Sequence, residues 1–204
     1  MQPWEILVSR PLLDRRPWLT VWEEDVQLPD GAIIHGYLRS RARDYAMIFA
    51  LLADGTVPLV RQYKHGPGRP SYDLPAGYLD GPDEPPLSGA RRELHEETGL
   101  VADRWHPLGH LVIDTNRGED RAHIFLALGA RHEGAPHLDP TESLEVSYHT
   151  PDALRAMVRG GVIDSMASVA GIMLALDVLS GHEDTARHRP FTSSALGPGE
   201  PDAQ

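Results

Sequence analysis

Four glutamates between positions 84 and 97 are the side chains whose spacing points most directly to chemistry. Glu84 is separated by seven residues from Arg92, and Glu93, Glu96 and Glu97 follow at once. On a helix these last three share one face, where like charges three or four residues apart cost about 0.2–0.5 kcal/mol per pair. A divalent cation relieves that repulsion, so the pattern predicts a metal site suited to diphosphate chemistry.

The residues around the glutamates predict the helix that must hold them. Pro85 and Pro86 suit a helix N-terminus, where a missing N–H is harmless. Gly99 is placed to end the helix after about Thr98. An apolar stripe on a face other than that of the glutamates consists of Leu87, Ala90 and Leu94. We therefore expect one face on a core and the other on a cleft.

Strand patterns surround this helix. Residues 1–43 are β-rich, and the turn at 28–31 predicts a hairpin-based subdomain. Further strands are predicted at 45–52, 56–61, 108–113, 123–128 and 145–148, and helices at 151–158 and 165–179. Residues 182–204 show no periodicity, and we expect a disordered tail there.

Composition excludes several classes of protein. The net charge of −11 argues against nucleic acid or an anionic membrane as the main partner. The chain has no cysteine, which excludes disulfides and thiolate chemistry. No apolar run is long enough to span a bilayer, and the N-terminus has no basic segment before an apolar one. We expect a cytoplasmic protein.

Residues 77–100 resemble the motif of the Nudix hydrolase superfamily: Gly, five residues, Glu, seven residues, then Arg-Glu-apolar-x-Glu-Glu-x-Gly-apolar. The second half matches at every fixed position. Six residues, not five, separate Gly77 from Glu84, which we interpret as a one-residue insertion in the loop. Residues 60–64 and 73–77 resemble the ADP-ribose pyrophosphatase branch, and the resemblance covers about residues 15–180.

This resemblance implies a fold and a domain arrangement. The fold would be α/β (α+β), a Nudix α/β/α sandwich with a mixed β-sheet plus a small N-terminal β subdomain. Residues 1–43 would form that subdomain and build a homodimer, residues 44–181 would form the hydrolase domain, and 182–204 would be the tail.

The resemblance also implies the metal site, which would hold Mg²⁺ (or Mn²⁺). Its ligands would be the carbonyl of Ala76 and the carboxylates of Glu93, Glu96 and Glu97. Glu96 would also orient the attacking water. Arg92 would pair with Glu84 and so fix the loop against the helix.

Other residues are expected to serve the substrate. The general base would come from a loop after the main sheet, with Glu142 as the first choice and Glu145 as the reserve. Arg61 and Asp73 would contact the substrate, and residues 114–121 would line the same cleft.

The expected function is metal-dependent hydrolysis of the diphosphate in a nucleoside diphosphate sugar. ADP-ribose, giving AMP and ribose 5-phosphate, leads the candidates. GDP-mannose, NADH or another dinucleotide is the alternative substrate. A Nudix module that senses a nucleotide without cleaving it is the alternative of a different class.

Overall fold

The computed structural model describes residues 2–138 and 143–181, which form eleven strands and three helices. The first strands are β1 (Glu5–Arg15), β2 (Leu19–Gln27), β3 (Ile33–Arg41), β4 (Tyr45–Leu52), β5 (Val57–Lys64), β6 (Arg69–Asp73) and β7 (Ala76–Tyr78). Then come α1 (Pro86–Thr98), β8 (Leu100–Val101), β9 (Arg104–Val112), β10 (Arg121–His132), β11 (Leu144–His149), α2 (Pro151–Arg159) and α3 (Met166–Leu179).

A mixed sheet with β4 and β10 at its centre forms the middle layer. These two strands run parallel, while β7 pairs with β4 and β8 and β9 pair with β10, all antiparallel. Alternate residues of β4 face opposite ways: Ile48 packs with Leu94 of α1, and Phe49 packs in the cluster that contains Ile172 of α3. Burial on both faces explains why β4 is a continuous apolar run. The α/β/α sandwich is therefore present.

A second sheet, in the order β11-β5-β6, leads the chain to the site. β5 pairs antiparallel with both neighbours, and β6 ends at Asp73. A short turn through Leu74 and Pro75 joins β6 to β7, where Ala76 pairs with Met47 of β4. The turn therefore carries the backbone from one sheet to the other directly beside α1.

The N-terminal subdomain is a three-stranded antiparallel sheet, in the order β1-β2-β3. The hairpin of β2 and β3 was predicted, whereas β1 was not located from the sequence. Every residue of β1 is exposed, including large apolar side chains such as Ile6 and Leu12. Because neither face of β1 is buried, its apolar residues do not alternate with polar ones. No amphipathic pattern therefore marked this strand in the sequence.

Several predicted helix boundaries are confirmed. α1 begins with Pro86 in its first turn and ends at Thr98, because Gly99 adopts a left-handed conformation with φ 68°. The Gly99 N–H donates to the carbonyl of His95. None of the helices in the described ranges combines the length and apolar character that a bilayer span requires. The tail predicted for 182–204 lies outside the described residues.

Candidate active site

A cleft of about 850 Å³ lies beside α1, where β4, β6 and β7 meet. The four residues that the sequence predicts as metal ligands all line it. They are Ala76 of β7 and Glu93, Glu96 and Glu97 of α1. The opposite face of α1 is buried through Ala90 and Leu94, so the helix directs its acidic face to the cleft as predicted.

Gly77 allows the Glu93 carboxylate to lie against the backbone of β7. A Cβ atom built on Gly77 would be 2.0 Å from Cδ of Glu93 and 2.1 and 2.2 Å from its two oxygens. Real Cβ atoms do not approach other atoms so closely, so any larger residue here displaces the carboxylate. The glycine of the motif is therefore needed for close approach of a side chain.

Glu97 ties the end of α1 to the turn before β7. Its side chain is 6% exposed, and Oε2 accepts a hydrogen bond of 2.9 Å from the Ala76 N–H. The neighbouring Pro75 carbonyl accepts a 2.9 Å bond from the Ile48 N–H of β4. Because both sides of the turn are bonded, the backbone around Ala76 is held in one position relative to the glutamates.

Arg92 connects the glutamates to the loop that precedes α1. Its Nε and Nη2 each lie 3.3 Å from an oxygen of Glu84, which confirms the predicted ion pair. Nη2 also donates to the carbonyl of Tyr78 at 3.0 Å. Nη1 lies 2.6 Å from Oε1 of Glu93 and 3.1 Å from Oε2 of Glu96. One guanidinium thus offsets part of the negative charge of the helix face.

Titration of this pair follows from its contacts. Burial raises the pKa of Glu84, but hydrogen bonds from Arg92 and the Asp80 N–H outweigh that effect and hold the pKa below its usual value. Burial lowers the pKa of Arg92, whereas its bonds to Glu84 and Glu93 raise it, with a net increase. The pair therefore stays fully charged at neutral pH.

The donor set fits a hard divalent cation. Glu93, Glu96, Glu97 and the Ala76 carbonyl offer only oxygen, which Mg²⁺ and Mn²⁺ prefer. Within residues 2–138 and 143–181, no three acidic or histidine side chains stand in a ready coordination geometry. Arg92 pairs with two of these carboxylates, so an ion entering here would compete with its Nη1 atom.

Comparison with known proteins decides the family. Residues 41–167 match the family model described as the NUDIX domain. The chain belongs to the Nudix family. Its match spans more than half of the 204 residues and contains the whole glutamate helix.

Two relatives of this Nudix hydrolase carry the name ADP-ribose pyrophosphatase. The one from Mycobacterium tuberculosis (strain ATCC 25618 / H37Rv) is 33% identical over 170 residues, which is 82% of this chain and 80% of the relative. The one from Bacillus subtilis (strain 168) is 29% identical over 155 residues, or 74% of this chain and 82% of the relative.

A solved structure confirms the fold of this Nudix hydrolase. It is titled as the crystal structure of ADP compounds hydrolase and superposes with a TM-score of 0.79 at 23% identity. The match covers 90% of this chain and 97% of that one, so it extends beyond residues 44–181.

The two predicted substrate residues occupy different faces of the second sheet. Asp73 lines the cleft, as predicted. In β5, Val60 and Gln62 face the cleft, whereas Arg61 lies on the opposite face, with its Nη1 2.9 Å from Oε2 of Glu145. The structure therefore does not place Arg61 among the cleft-lining residues, and its contact with substrate stays a prediction.

Two further predictions concern the general base and the loop at 114–121. Glu142 lies outside the described residues, and the reserve candidate, Glu145 of β11, pairs with Arg61 of β5. The loop 114–120 packs on β3, where the Ser40 N–H donates to the Arg117 carbonyl at 2.8 Å. None of its residues is among those lining the cleft, so the prediction for 114–121 is wrong for this chain.

Two groups of cleft residues were missed by sequence reasoning. An aromatic group consists of Trp18, Arg43, Tyr45 and Tyr78. A polar group consists of Lys64, Arg69, Asp164 and Ser165. Three of them carried a signal: Lys64 is the single lysine of the chain and ends the 60–64 string, and Asp164 and Ser165 belong to a segment that also resembles the ADP-ribose pyrophosphatase branch. The others come from separate strands and loops and are joined only by folding.

Proposed function

We propose that this Nudix hydrolase cleaves the diphosphate of a nucleoside diphosphate sugar, and that ADP-ribose is the first substrate to test. Water would add across the anhydride and give AMP and ribose 5-phosphate. The observation that carries the proposal is one cleft that is lined by the three glutamates of α1, by the aromatic group and by the polar group. The names of the two relatives favour ADP-ribose over other sugar nucleotides.

The aromatic group suits the base of a nucleotide. The Arg43 guanidinium lies 5.3 Å from the ring centre of Trp18 and 5.2 Å from that of Tyr78, and the two rings meet edge to face at 6.1 Å. Trp18 is 61% exposed, so its indole is accessible to a ligand. The flat aromatic face of a base would gain contact area with these rings.

Lys64 and Asp73 suit a diphosphate and a sugar. Lys64, with its positive charge, lines the same cleft as the glutamates and would attract the diphosphate. Asp73 offers only acceptor oxygens, which match the hydroxyl groups of a sugar. One cleft therefore offers contacts for a base, a diphosphate and a sugar.

The residues of the site would divide the work of hydrolysis. Glu93, Glu96, Glu97 and the Ala76 carbonyl would hold Mg²⁺ or Mn²⁺, which when bound neutralises phosphate charge and acidifies water. Glu84 and Arg92 would keep the loop and helix in register. Glu96 would orient the attacking water, and we keep Glu142 as the general base, with Glu145 as the reserve.

We also propose that the protein is a homodimer built through the N-terminal sheet. β1 pairs with β2 and, within the described residues, with no other strand. Ile6 is 51% and Leu12 57% exposed on this open edge, as is Trp4 just before it at 49%. A long apolar edge strand left in water invites pairing with another chain.

The proposal is tested by hydrolysis assays over a panel of ADP-ribose, ADP-glucose, GDP-mannose, NADH and diadenosine polyphosphates. Released phosphomonoesters are detected with alkaline phosphatase, with Mg²⁺, Mn²⁺ or EDTA present. Metal-dependent cleavage with ADP-ribose as the best substrate is the expected result. Preference for another compound of the panel would identify that compound as the substrate instead of ADP-ribose. Thermal stabilisation by a nucleotide without any cleavage would indicate a nucleotide sensor.

The variant Glu97→Gln tests whether a predicted metal ligand is needed for hydrolysis. Removing this charge is expected to lower kcat by more than about 100-fold. Mutating residues that only support a metal's ligands already lowers metal affinity or activity by about 10–100-fold, and Glu97 is proposed as a ligand itself. Circular dichroism should show an unchanged fold. Glu119→Gln is the control, since that exposed side chain lies outside the cleft. Wild-type-like turnover by Glu97→Gln would exclude this residue from the metal site.

A further inference from the structure

α3 packs very closely on the turn that leads into the site. A Cβ atom built on Gly171 would lie 3.1 Å from Cδ1 of Leu74, so small residues are needed where the helix meets the turn. Ser168, one turn earlier on the same face, is 0% exposed. The space would accept alanine equally well, so packing alone does not explain the hydroxyl group.

The Ser168 hydroxyl bonds to two consecutive residues that line the cleft, Asp73 and Leu74. It donates to Oδ1 of Asp73 at 2.8 Å and accepts the Leu74 N–H at 3.2 Å. Its own N–H is bonded separately, to Oγ of Ser165 at 3.3 Å. A buried hydroxyl needs partners because an unpaired one is costly, and here both partners belong to the wall of the cleft.

Asp73 has one oxygen held and one available. The Ser168 hydroxyl contacts Oδ1, and no other hydrogen bond to this carboxylate is present within residues 2–138 and 143–181. The carboxylate lines the cleft and only accepts hydrogen bonds. With Oδ1 fixed, Oδ2 has a defined direction before any ligand arrives, so binding a hydroxyl group does not require ordering the side chain.

We infer that Ser168 is a positioning residue, which fixes the Asp73 carboxylate so that its second oxygen accepts a hydroxyl of the sugar. The inference rests on the proposed function, because it assigns the sugar to the Asp73 side of the cleft. Ser168 does not touch the substrate. It acts from within the core, through one hydrogen bond.

The test is a double-mutant cycle of wild type, Ser168→Ala, Asp73→Ala and the double variant, with ADP-ribose and Mg²⁺. Ser168→Ala is expected to raise KM about tenfold, the size of a lost hydrogen bond to a charged group, with kcat changed less than about threefold. In the Asp73→Ala background the same change should raise KM less than about twofold. Independent, multiplying effects would overturn the inference, and so would a loss confined to kcat.

Ala175→Gly controls for a general loosening of α3. This residue is buried on the same helix, and glycine there lowers helix stability without contact with Asp73. Its KM should match that of the wild type. A KM raised as much as in Ser168→Ala would show that helix packing, not the hydroxyl group, is responsible.

A binding measurement separates this inference from the proposed function. Calorimetry with ADP-ribose in EDTA gives Kd for the four proteins of the cycle without turnover. A wild type that hydrolyses no sugar nucleotide contradicts the proposed function alone, and the cycle on Kd still decides the role of Ser168. The inference is supported if Ser168→Ala raises Kd about tenfold in the wild type but not in the Asp73→Ala background. It is overturned if the effects of the two substitutions on Kd are independent, or if the wild type has no affinity for ADP-ribose.

Discussion

Gly77 and Glu93 show how single residues of the motif depend on one another. The side chain of Glu93 uses the space that a Cβ atom at Gly77 would take. Glycine is often explained by backbone conformation, but Gly77 has no positive φ. Glycine is required here for a steric reason, because Glu93, sixteen positions later, occupies the space of a Cβ atom. The motif fixes this spacing but does not show its cause.

Gly77→Ala should therefore weaken metal binding. The new methyl group pushes the Glu93 carboxylate off β7, and we expect Mn²⁺ affinity, measured by titration calorimetry, to fall by about 10–100-fold. Gly66→Ala is the matched control, since a Cβ there meets no atom within 4 Å. Equal affinity in Gly77→Ala and wild type would mean that Glu93 is not a ligand or binds from a displaced position.

Arg92 is the second residue-scale feature that the sequence left incomplete. Its pairing with Glu84 was predicted, while its contacts with Glu93 and Glu96 were not. Spacing of four residues permits the contact with Glu96. Only the closeness of the loop, with the Tyr78 carbonyl bound to Nη2, aims the guanidinium between the carboxylates.

At the scale of elements, Asp25 links the three strands of the N-terminal sheet. From β2, its Oδ2 accepts a 3.1 Å bond from Arg10 of β1, and its Oδ1 accepts a 3.1 Å bond from the Gly36 N–H of β3. The hydrogen bond from Arg10 is the main cause that lowers the pKa of Asp25 to about 2, with the Gly36 N–H next. The side chain therefore stabilises the sheet mainly when it is ionised.

Asp25→Asn should lower the unfolding temperature at pH 6, and the deficit should vanish in acid. The folded pKa of about 2 is below the ordinary 3.8, so the stabilisation is complete above pH 3.8 and is lost as the pH falls toward 2. Thermal unfolding from pH 6 to pH 2 measures it, with exposed Asp83→Asn as the control. A deficit that stays constant over this range would show that the charge of Asp25 is not involved.

At the scale of the whole molecule, the open edge of β1 decides the assembly we expect. Leu12→Arg should convert the dimer to a monomer, because a charge at this exposed apolar position opposes burial against a second chain. Light scattering coupled to size exclusion measures the mass. Met166→Arg is the control: it also replaces an exposed apolar residue, but on α3. A wild type that is monomeric at all concentrations would contradict the assembly.

The fold was predictable where local patterns and burial agree. Helix α1 was located from its prolines, its apolar stripe and Gly99, all of which act within the helix itself. β4 was located from its continuous apolar run. β1 has no such pattern, because each of its residues is exposed, and its extended form is held by pairing with β2.

The sequence by itself determined the acidic helix face, the glycine beside it and the family to which they belong, because those features depend on residues within one short segment. Tertiary structure alone decided that Trp18 and Lys64 would line one cleft and that Ser168 would bond to Asp73 in its wall. It also decided which face of β5 meets the cleft, so that Arg61 does not line it. Trp18, Lys64 and Ser168 are separated by tens to more than a hundred positions. Their meeting depends on how sheets and α3 pack, which no local pattern encodes.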